Sequence, residues 1–187
     1  MGYHTFDAER ADKLEDAASR YRYCSAEELL HALATSPDDV VADLGSGTGF
    51  YTDDVAPFVD TLYAVDVQEA MHDKYREKGV PENVHLITAT IDEFVPEQPL
   101  DAAFSTMTYH EFHSDDALDR IASGLADGGR LVLVDWAASG SGDAGPPVDE
   151  RYGVEEVGGH LEAHGFTVER ADARPQTWLV VARAPES

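Results

Sequence analysis

The sequence predicts an α/β fold: a three-layer sandwich with a mostly parallel, seven-stranded sheet between helices, ending in an antiparallel hairpin. Short apolar runs alternate with helix-prone stretches from about residue 25 onward, the pattern of strand–helix–strand units. Leu131-Val132-Leu133-Val134 is continuously apolar, as a strand covered on both faces must be. The last two expected strands are joined by a short Arg174-Pro175 turn with no helix between them, which suits an antiparallel pair.

The elements follow in order. Residues 7–20 are charged and helix-prone, with Leu14, Ala17 and Ala18 as a thin apolar stripe. Ser25 and Glu28 form a capping box for a helix that buries Leu29, Leu30 and Leu33 and stops before Pro37. The first strand spans roughly 39–44, and a helix runs from about residue 50 to Pro57. The second strand is roughly 61–65; the next helix runs from Gln68 to Lys78 and is closed by Gly79. Val84–Thr88 is the third strand. Residues 92–100 carry Pro96 and Pro99 and read as a loop or broken helix. Asp101–Ser105 is the fourth strand. Ser114 caps a helix carrying Leu118, Ile121 and Leu125, ended by Gly128-Gly129. Arg130–Asp135 is the fifth strand, and 139–149 is a Gly/Ser/Asp/Pro loop. Val154, Val157 and Leu161 mark a last helix, weakened by Gly158-Gly159; Phe166–Ala171 and Thr177–Ala182 are the final strands. No repeat or second domain is visible, so residues 1–187 are expected to be one domain.

Composition bounds function. The 187 residues are 43% hydrophobic, enough for a sizeable core, and carry a formal charge of −24 with only three lysines. The acids are dispersed, not gathered in a tail, the composition expected of a protein from salt-rich cytoplasm. Such a surface argues against binding nucleic acid or an anionic membrane. One cysteine, Cys24, excludes an internal disulfide and a cysteine-based zinc cluster. No N-terminal apolar region and no run near the ~20 apolar residues of a membrane span is present, so a cytoplasmic location is expected. Oligomeric state is not readable.

The chemistry begins at the first crossover. Asp43-Leu44-Gly45-Ser46-Gly47-Thr48-Gly49 follows the first strand, and twenty-one residues after Gly45 the second strand ends in Asp66. A glycine turn that lets the backbone approach a ligand, with a carboxylate on the next strand for ribose hydroxyls, holds an adenosine-containing cofactor in an open α/β sheet. The spacing is G-x-G-x-G, with Phe50 where a dinucleotide site has its third glycine. Asp53 and Asp54 stand close to the following helix start, where they compete with a diphosphate and tolerate a cation.

On these residues the chain resembles the class I S-adenosylmethionine-dependent methyltransferases, nearest to small stand-alone enzymes of the ubiquinone/menaquinone-biosynthesis type, over about residues 25–183. Ser25-Ala26-Glu27-Glu28-Leu29-Leu30 and Gly49-Phe50-Tyr51-Thr52 are similar to that group. The resemblance implies a Rossmann-like sheet of seven strands whose last strand is inserted antiparallel. It implies S-adenosylmethionine as cofactor, with contacts from Asp43, Gly45, Ser46, Gly47, Gly49, Asp66, Val67, Thr90, Ile91, Ser105 and Thr106. Where the group has an acid facing the adenine amino group, this chain has Thr90; either its hydroxyl makes the contact or Asp92 reaches in. Residues 1–24, with Tyr21, Tyr23 and Cys24, either fold over the cofactor as a lid or pack on the sheet edge.

Methyl transfer is an in-line displacement that needs alignment and exclusion of water, and a base if the acceptor holds its proton until late. His110, on the rim after the fourth strand, is the first candidate base and Glu111 the second; the other reading of His110 is packing or capping. Asp135-Trp136 lies at the same edge. His110-Glu111-Phe112-His113 has its second histidine at i+3, not the i+4 of a helical zinc site, and no third ligand, so no metal is expected. The reading is methyl transfer to a small-molecule acceptor. The alternatives are a nicotinamide-dependent oxidoreductase on a similar sheet and a cofactor-binding module without turnover.

Overall fold

The computed structural model describes residues 8–186. Seven strands form one sheet: β1 Val40–Leu44, β2 Thr61–Asp66, β3 Val84–Thr88, β4 Leu100–Thr106, β5 Leu125–Trp136, β6 Thr167–Ala173 and β7 Thr177–Arg183. Their order is β3-β2-β1-β4-β5-β7-β6. Pairings among β1 to β5 are parallel, and β7 lies antiparallel between β5 and β6, as the resemblance implies. The chain leaves β1 toward β2 on one side and later returns as β4 on the other. This reversal opens a crevice at the carboxyl ends of those strands.

The α-helices are α1 Ala17–Tyr23, α2 Ala26–Leu33, α3 Phe50–Val55, α4 Glu69–Lys78, α5 Tyr109–Phe112, α6 Asp115–Gly124 and α7 Val154–Ala163. The period-two alternation of the strands divides the core into two. Val40, Ala42 and Leu44 pack with Tyr109 of α5, Leu118 of α6 and Leu161 of α7. Val41 faces the opposite layer, with Leu29 of α2, Val55 of α3 and Tyr75 of α4. Leu131 to Val134 are wholly buried, each side chain contributing about 1.5–3 kcal/mol by leaving water.

Several boundaries differ from the expectations. The helix-prone 7–20 stretch is a 3-10 helix Ala8–Glu15 followed by α1, with residue 7 outside the described residues. The break falls at Asp16, whose carboxylate caps α1 at the Ser19 amide. Half of the Ser25/Glu28 capping box forms: Ser25 Oγ accepts from the Glu28 amide at 3.1 Å. The Glu28 carboxylate instead accepts from the Arg174 guanidinium, tying α2 to the β6–β7 turn. Gly128-Gly129 does not end α6. Gly124 does, and Leu125 already pairs with Leu100 before the register shifts to Ala102 beside Arg130. Residues 91–94 turn once on the Thr90 carbonyl and make no helix. No helix among the described residues is long and apolar enough to cross a membrane.

Candidate active site

A cleft of about 660 Å³ opens where β1, β2, β4 and β5 end. The Gly45 and Ser46 amides both donate to the Val65 carbonyl, at 2.8 and 2.9 Å, which folds the glycine turn against β2. The Gly47 amide donates to Asp66 Oδ2 and the Gln68 amide to Asp66 Oδ1, each at 2.8 Å. Two backbone donors thus hold this carboxylate on the cleft wall. Burial pushes its pKa up, opposed by those amides and by His72.

Two of the turn glycines are required by the protein's own packing. At Gly45, φ is +85° and a Cβ would lie 2.4 Å from Thr108 Cγ2. At Gly49, φ is +81° and a Cβ would lie 2.2 Å from the Tyr75 ring. Both combine a left-handed backbone with occupied space, so only glycine fits.

Of the sequence-predicted cofactor residues, Gly45, Ser46, Gly47, Asp66, Val67, Thr90, Ile91 and Thr106 line the cleft. Asp43, Gly49 and Ser105 are not on its wall. Asp43 is buried and accepts the Thr52 hydroxyl at 2.7 Å; burial drives its pKa up to about 7. Ser105 is wholly buried, one residue from Thr106, on the opposite side of β4. Thr90 Oγ1 is buried without a protein partner, whereas Asp92 is off the wall, its carbonyl accepting from Arg120 Nε at 3.0 Å.

The acids at the α3 start also need correcting. Asp53 accepts from the Tyr75 hydroxyl at 2.6 Å and pairs with Lys78 at 2.8 Å. Asp54 accepts from the Tyr21 hydroxyl at 2.9 Å. Neither lines the cleft. The carboxylate that meets the turn is Glu15, which accepts from the Thr48 hydroxyl and from Lys78.

At the other end, β4 leaves the sheet through Met107, a non-glycine residue at φ +59°. Such a conformation is uncommon outside glycine and turns the chain sharply into α5. This places His110 on the cleft, its side chain only 9% exposed. Asp135, at the end of β5 and wholly buried, accepts from the His110 amide at 2.7 Å and from His110 Nδ1 at 2.9 Å. It also accepts from the Trp136 amide at 2.7 Å. A carboxylate only accepts, so the proton sits on Nδ1 and the neutral ring keeps its lone pair on Nε2. The nearest carboxylate to Nε2 is that of Glu111, 3.8 Å away and beyond hydrogen-bond reach. Burial by itself lowers the His110 pKa, but the Asp135 hydrogen bond and the charges of Asp135, Glu111 and Glu150 outweigh it and leave it raised. His113 turns away, its ring stacked on His160 with centroids 4.1 Å apart. Among the described residues, no group of three or more His, Cys, Asp or Glu is placed to hold a metal.

The rest of this end is aromatic and loop. Tyr23 and Trp136 line the cleft with ring centroids 4.7 Å apart. The 139–149 loop folds over Trp136, and a Cβ on Gly145 would come within 2.4 Å of the indole. Arg151 Nε and Nη2 donate to the Pro146 carbonyl at 2.9 and 2.7 Å, pinning the loop. Pro146, Pro147 and Glu150 complete the wall. From the N-terminal side come Leu14, Ser19 and Arg20. Arg20 lies over the Tyr51 ring at 4.9 Å, with Nε unpartnered.

Sequence reasoning puts Asp135 on the rim but gives no sign that it meets His110, from which 25 residues separate it. It also misses Arg20, whose place depends on the break at Asp16. The Tyr23–Trp136 contact joins residues whose proximity only the fold determines.

Residues 41–129 match a family described as a methyltransferase domain. An uncharacterized methyltransferase of Geobacillus sp. (strain WCH70) is 27% identical over 126 residues, 65% of this chain and 59% of that relative. The match thus spans less than two thirds of that relative's length. The crystal structure of a SAM dependent methyltransferase from Aquifex aeolicus superposes with a TM-score of 0.86 at 28% identity, covering 96% of this chain and all of that one. The DhpI–SAH complex superposes with a TM-score of 0.75 at 20% identity, covering 95% of this chain and 93% of that one.

Proposed function

We propose that this chain, which belongs to the class I S-adenosylmethionine-dependent methyltransferases and takes S-adenosylmethionine as cofactor, methylates a small-molecule acceptor with His110 as general base. The observation that carries the proposal is one cleft holding both an amide-anchored Asp66 and the His110–Asp135 pair.

The residues present fit the cofactor. A cleft of about 660 Å³ lies within the range of small-molecule sites. Ser46 Oγ and Thr90 Oγ1 are buried on its wall without protein partners, and buried polar groups of that kind call for a ligand. In this reading Asp66 would take the ribose hydroxyls and Thr90 the adenine edge, with Val67 and Ile91 as apolar neighbours on the same wall. Arg20 takes the cofactor carboxylate. The G-x-G-x-G spacing, with Phe50 where a dinucleotide site has its third glycine, disfavours a nicotinamide dinucleotide. Asp43 and Ser105 support the turn and β4 from behind.

When bound, the cofactor supplies a methyl group already activated by a sulfonium. The chain then has two tasks. The aromatic and loop walls align the acceptor and exclude water. His110 Nε2, held in place by Asp135, receives the acceptor proton. That pair favours turnover over a binding-only module.

Two variants test the reading in high-salt buffer. Asp66→Ala is expected to weaken S-adenosylhomocysteine binding by about 10–100-fold, measured by calorimetry. His110→Ala is expected to keep that binding and to lower methyl transfer to a cell-extract acceptor by about 100-fold or more. Unchanged affinity in Asp66→Ala would remove the cofactor reading. An unchanged rate in His110→Ala would remove the base.

A further inference from the structure

Resting on that reading, we infer that Arg151, which lies behind the cleft wall, is the positioning residue for the acceptor: it folds residues 139–149 into a strap that presses on Trp136 and sets the shape of the acceptor end. The strand order separates the two ends of the cleft. The glycine turn and Asp66 stand at the ends of β1 and β2, whereas His110 follows β4 and Trp136 ends β5. β2 and β5 are three places apart in the sheet, about 14 Å at the usual strand spacing. Gly145 of the strap lies against Trp136, so the strap belongs to the β5 end, beside His110 and not beside the ribose acid.

Arg151 is 6% exposed, and the strap is wrapped around its guanidinium. Nε and Nη2 donate to the Pro146 carbonyl at 2.9 and 2.7 Å, and Nη2 also donates to the Ala144 carbonyl. These two carbonyls flank Gly145. At the other bend of the strap, a Cβ on Gly140 would lie 2.9 Å from Nη1. The guanidinium carbon stands 5.4 Å from the centroid of the Trp136 ring, close enough for cation and ring to attract. Gly145, at φ +82°, leaves room for the indole where a Cβ would come within 2.4 Å. One planar fork thus fixes the peptides around Gly145, and Gly145 fixes the ring that meets Tyr23. A lysine ammonium is a point charge on a flexible stem and does not reproduce that fork.

The first half of the strap is fastened separately, by the Ser141 amide donating to Gln176 Oε1 at 3.1 Å. Loss of the Arg151 fork is therefore expected to free residues 144–147, the part on the cleft wall. Asp66 and the His110–Asp135 pair are held by other elements. Substituting Arg151 should accordingly loosen the acceptor and leave the cofactor and the base in place.

The test compares Arg151→Lys and Arg151→Ala with the parent, all as the full chain. Of the two tryptophans, Trp178 is wholly buried, so acrylamide quenching of the fluorescence reports on Trp136. Both variants are expected to raise the quenching constant about twofold or more. Millimolar ethylguanidinium is expected to reverse the rise in Arg151→Ala. The acceptor probe is the small-molecule fraction of a cell extract, supplied with methyl-tritiated S-adenosylmethionine. In both variants the half-saturating amount of extract is expected to rise about tenfold, the limiting rate to change less than about threefold, and S-adenosylhomocysteine affinity to stay within about twofold. If Arg151→Ala does not fold, Arg151→Lys and Gly145→Ala carry the test. Gly145→Ala pushes the strap off the indole from its other side and is expected to raise both quenching and the half-saturating amount. Parent-like quenching in Arg151→Lys, no reversal by ethylguanidinium, or a lower limiting rate with unmoved half-saturation would each overturn the inference. Failure of the parent chain to bind S-adenosylhomocysteine would instead overturn the reading beneath it.

Discussion

Asp135 decides which nitrogen of His110 faces the cleft, and its charge sets the pH at which that nitrogen accepts a proton. The sign follows from the groups around the ring. Burial lowers the pKa, while Asp135, with Glu111 and Glu150, raises it further than burial lowers it. In the proposed role the ring works in its neutral form, so activity is expected to be lost as pH falls through that raised pKa. Asp135→Asn removes the largest opposing charge. The acid limb of kcat/KM is expected to move to lower pH, and the plateau to fall by about 10–100-fold as the ring loses its fixed orientation. A pH–rate profile of the two proteins checks this; a limb that stays put or moves up contradicts the role. At this scale the sequence is half legible. His110 and Asp135 are each readable as rim residues, because strand ends mark the rim. Their meeting is not, since it depends on the β4–β5 register. Ser105 shows the same limit from the other side: adjacent strand residues face opposite ways, so a motif position beside Thr106 is carried behind the cleft.

The glycines separate element-building positions from tolerated ones. In α7, a Cβ on Gly158 or Gly159 would meet nothing within 4 Å, and neither has a left-handed φ. Glycine is a poor helix former because it leaves more backbone freedom to the unfolded chain. Gly158→Ala and Gly159→Ala are each expected to stabilise the protein by about 0.5–1 kcal/mol. Gly45→Ala combines a φ of +85° with a 2.4 Å approach to Thr108 and is expected to cost about 2 kcal/mol or more. Denaturant unfolding of the three variants measures the contrast, and equal effects would contradict the described turn and helix. Element existence was legible through most of the sheet, because the central strands are compact apolar runs, whereas β6, Thr167–Ala173, is mostly polar and shows only as an alternation. Element ends were less so. Asp16 stops one helix and starts another through its own side chain, a choice that charged, helix-prone composition conceals. Gly128-Gly129 reads like a helix stop, yet Leu125 is held by β4 and the helix ends four residues before the first of them. The strand order came from resemblance, since periodicity counts strands without ranking them.

For the molecule as a whole, 37 acidic residues face 13 lysines and arginines. Even if every basic side chain were paired, two dozen carboxylates would stay unmatched, as the net charge of −24 states. The basic residues work as fasteners between elements: Arg174 to Glu28, Lys78 to Asp53 and Glu15, Arg183 to Glu169. Salt acts on both populations. It weakens exposed ion pairs, which contribute about 0–1 kcal/mol each. It also screens the repulsion among unmatched carboxylates, whose range shrinks from about 10 Å at 0.1 M to about 3 Å at 1 M. Because repelling charges outnumber attracting pairs, the second effect should win. The melting temperature is expected to rise by about 5 °C between 0.1 and 1 M KCl. Screening alone saturates once the range falls below the spacing of the charges, so most of the rise belongs in that interval. Replacing exposed acids far from the cleft, such as Glu97 and Asp127, by lysine should flatten the dependence without moving cofactor affinity. A melting temperature that falls with KCl would mean that the fasteners outweigh the repulsion, and the salt-adapted reading of this surface would then be wrong.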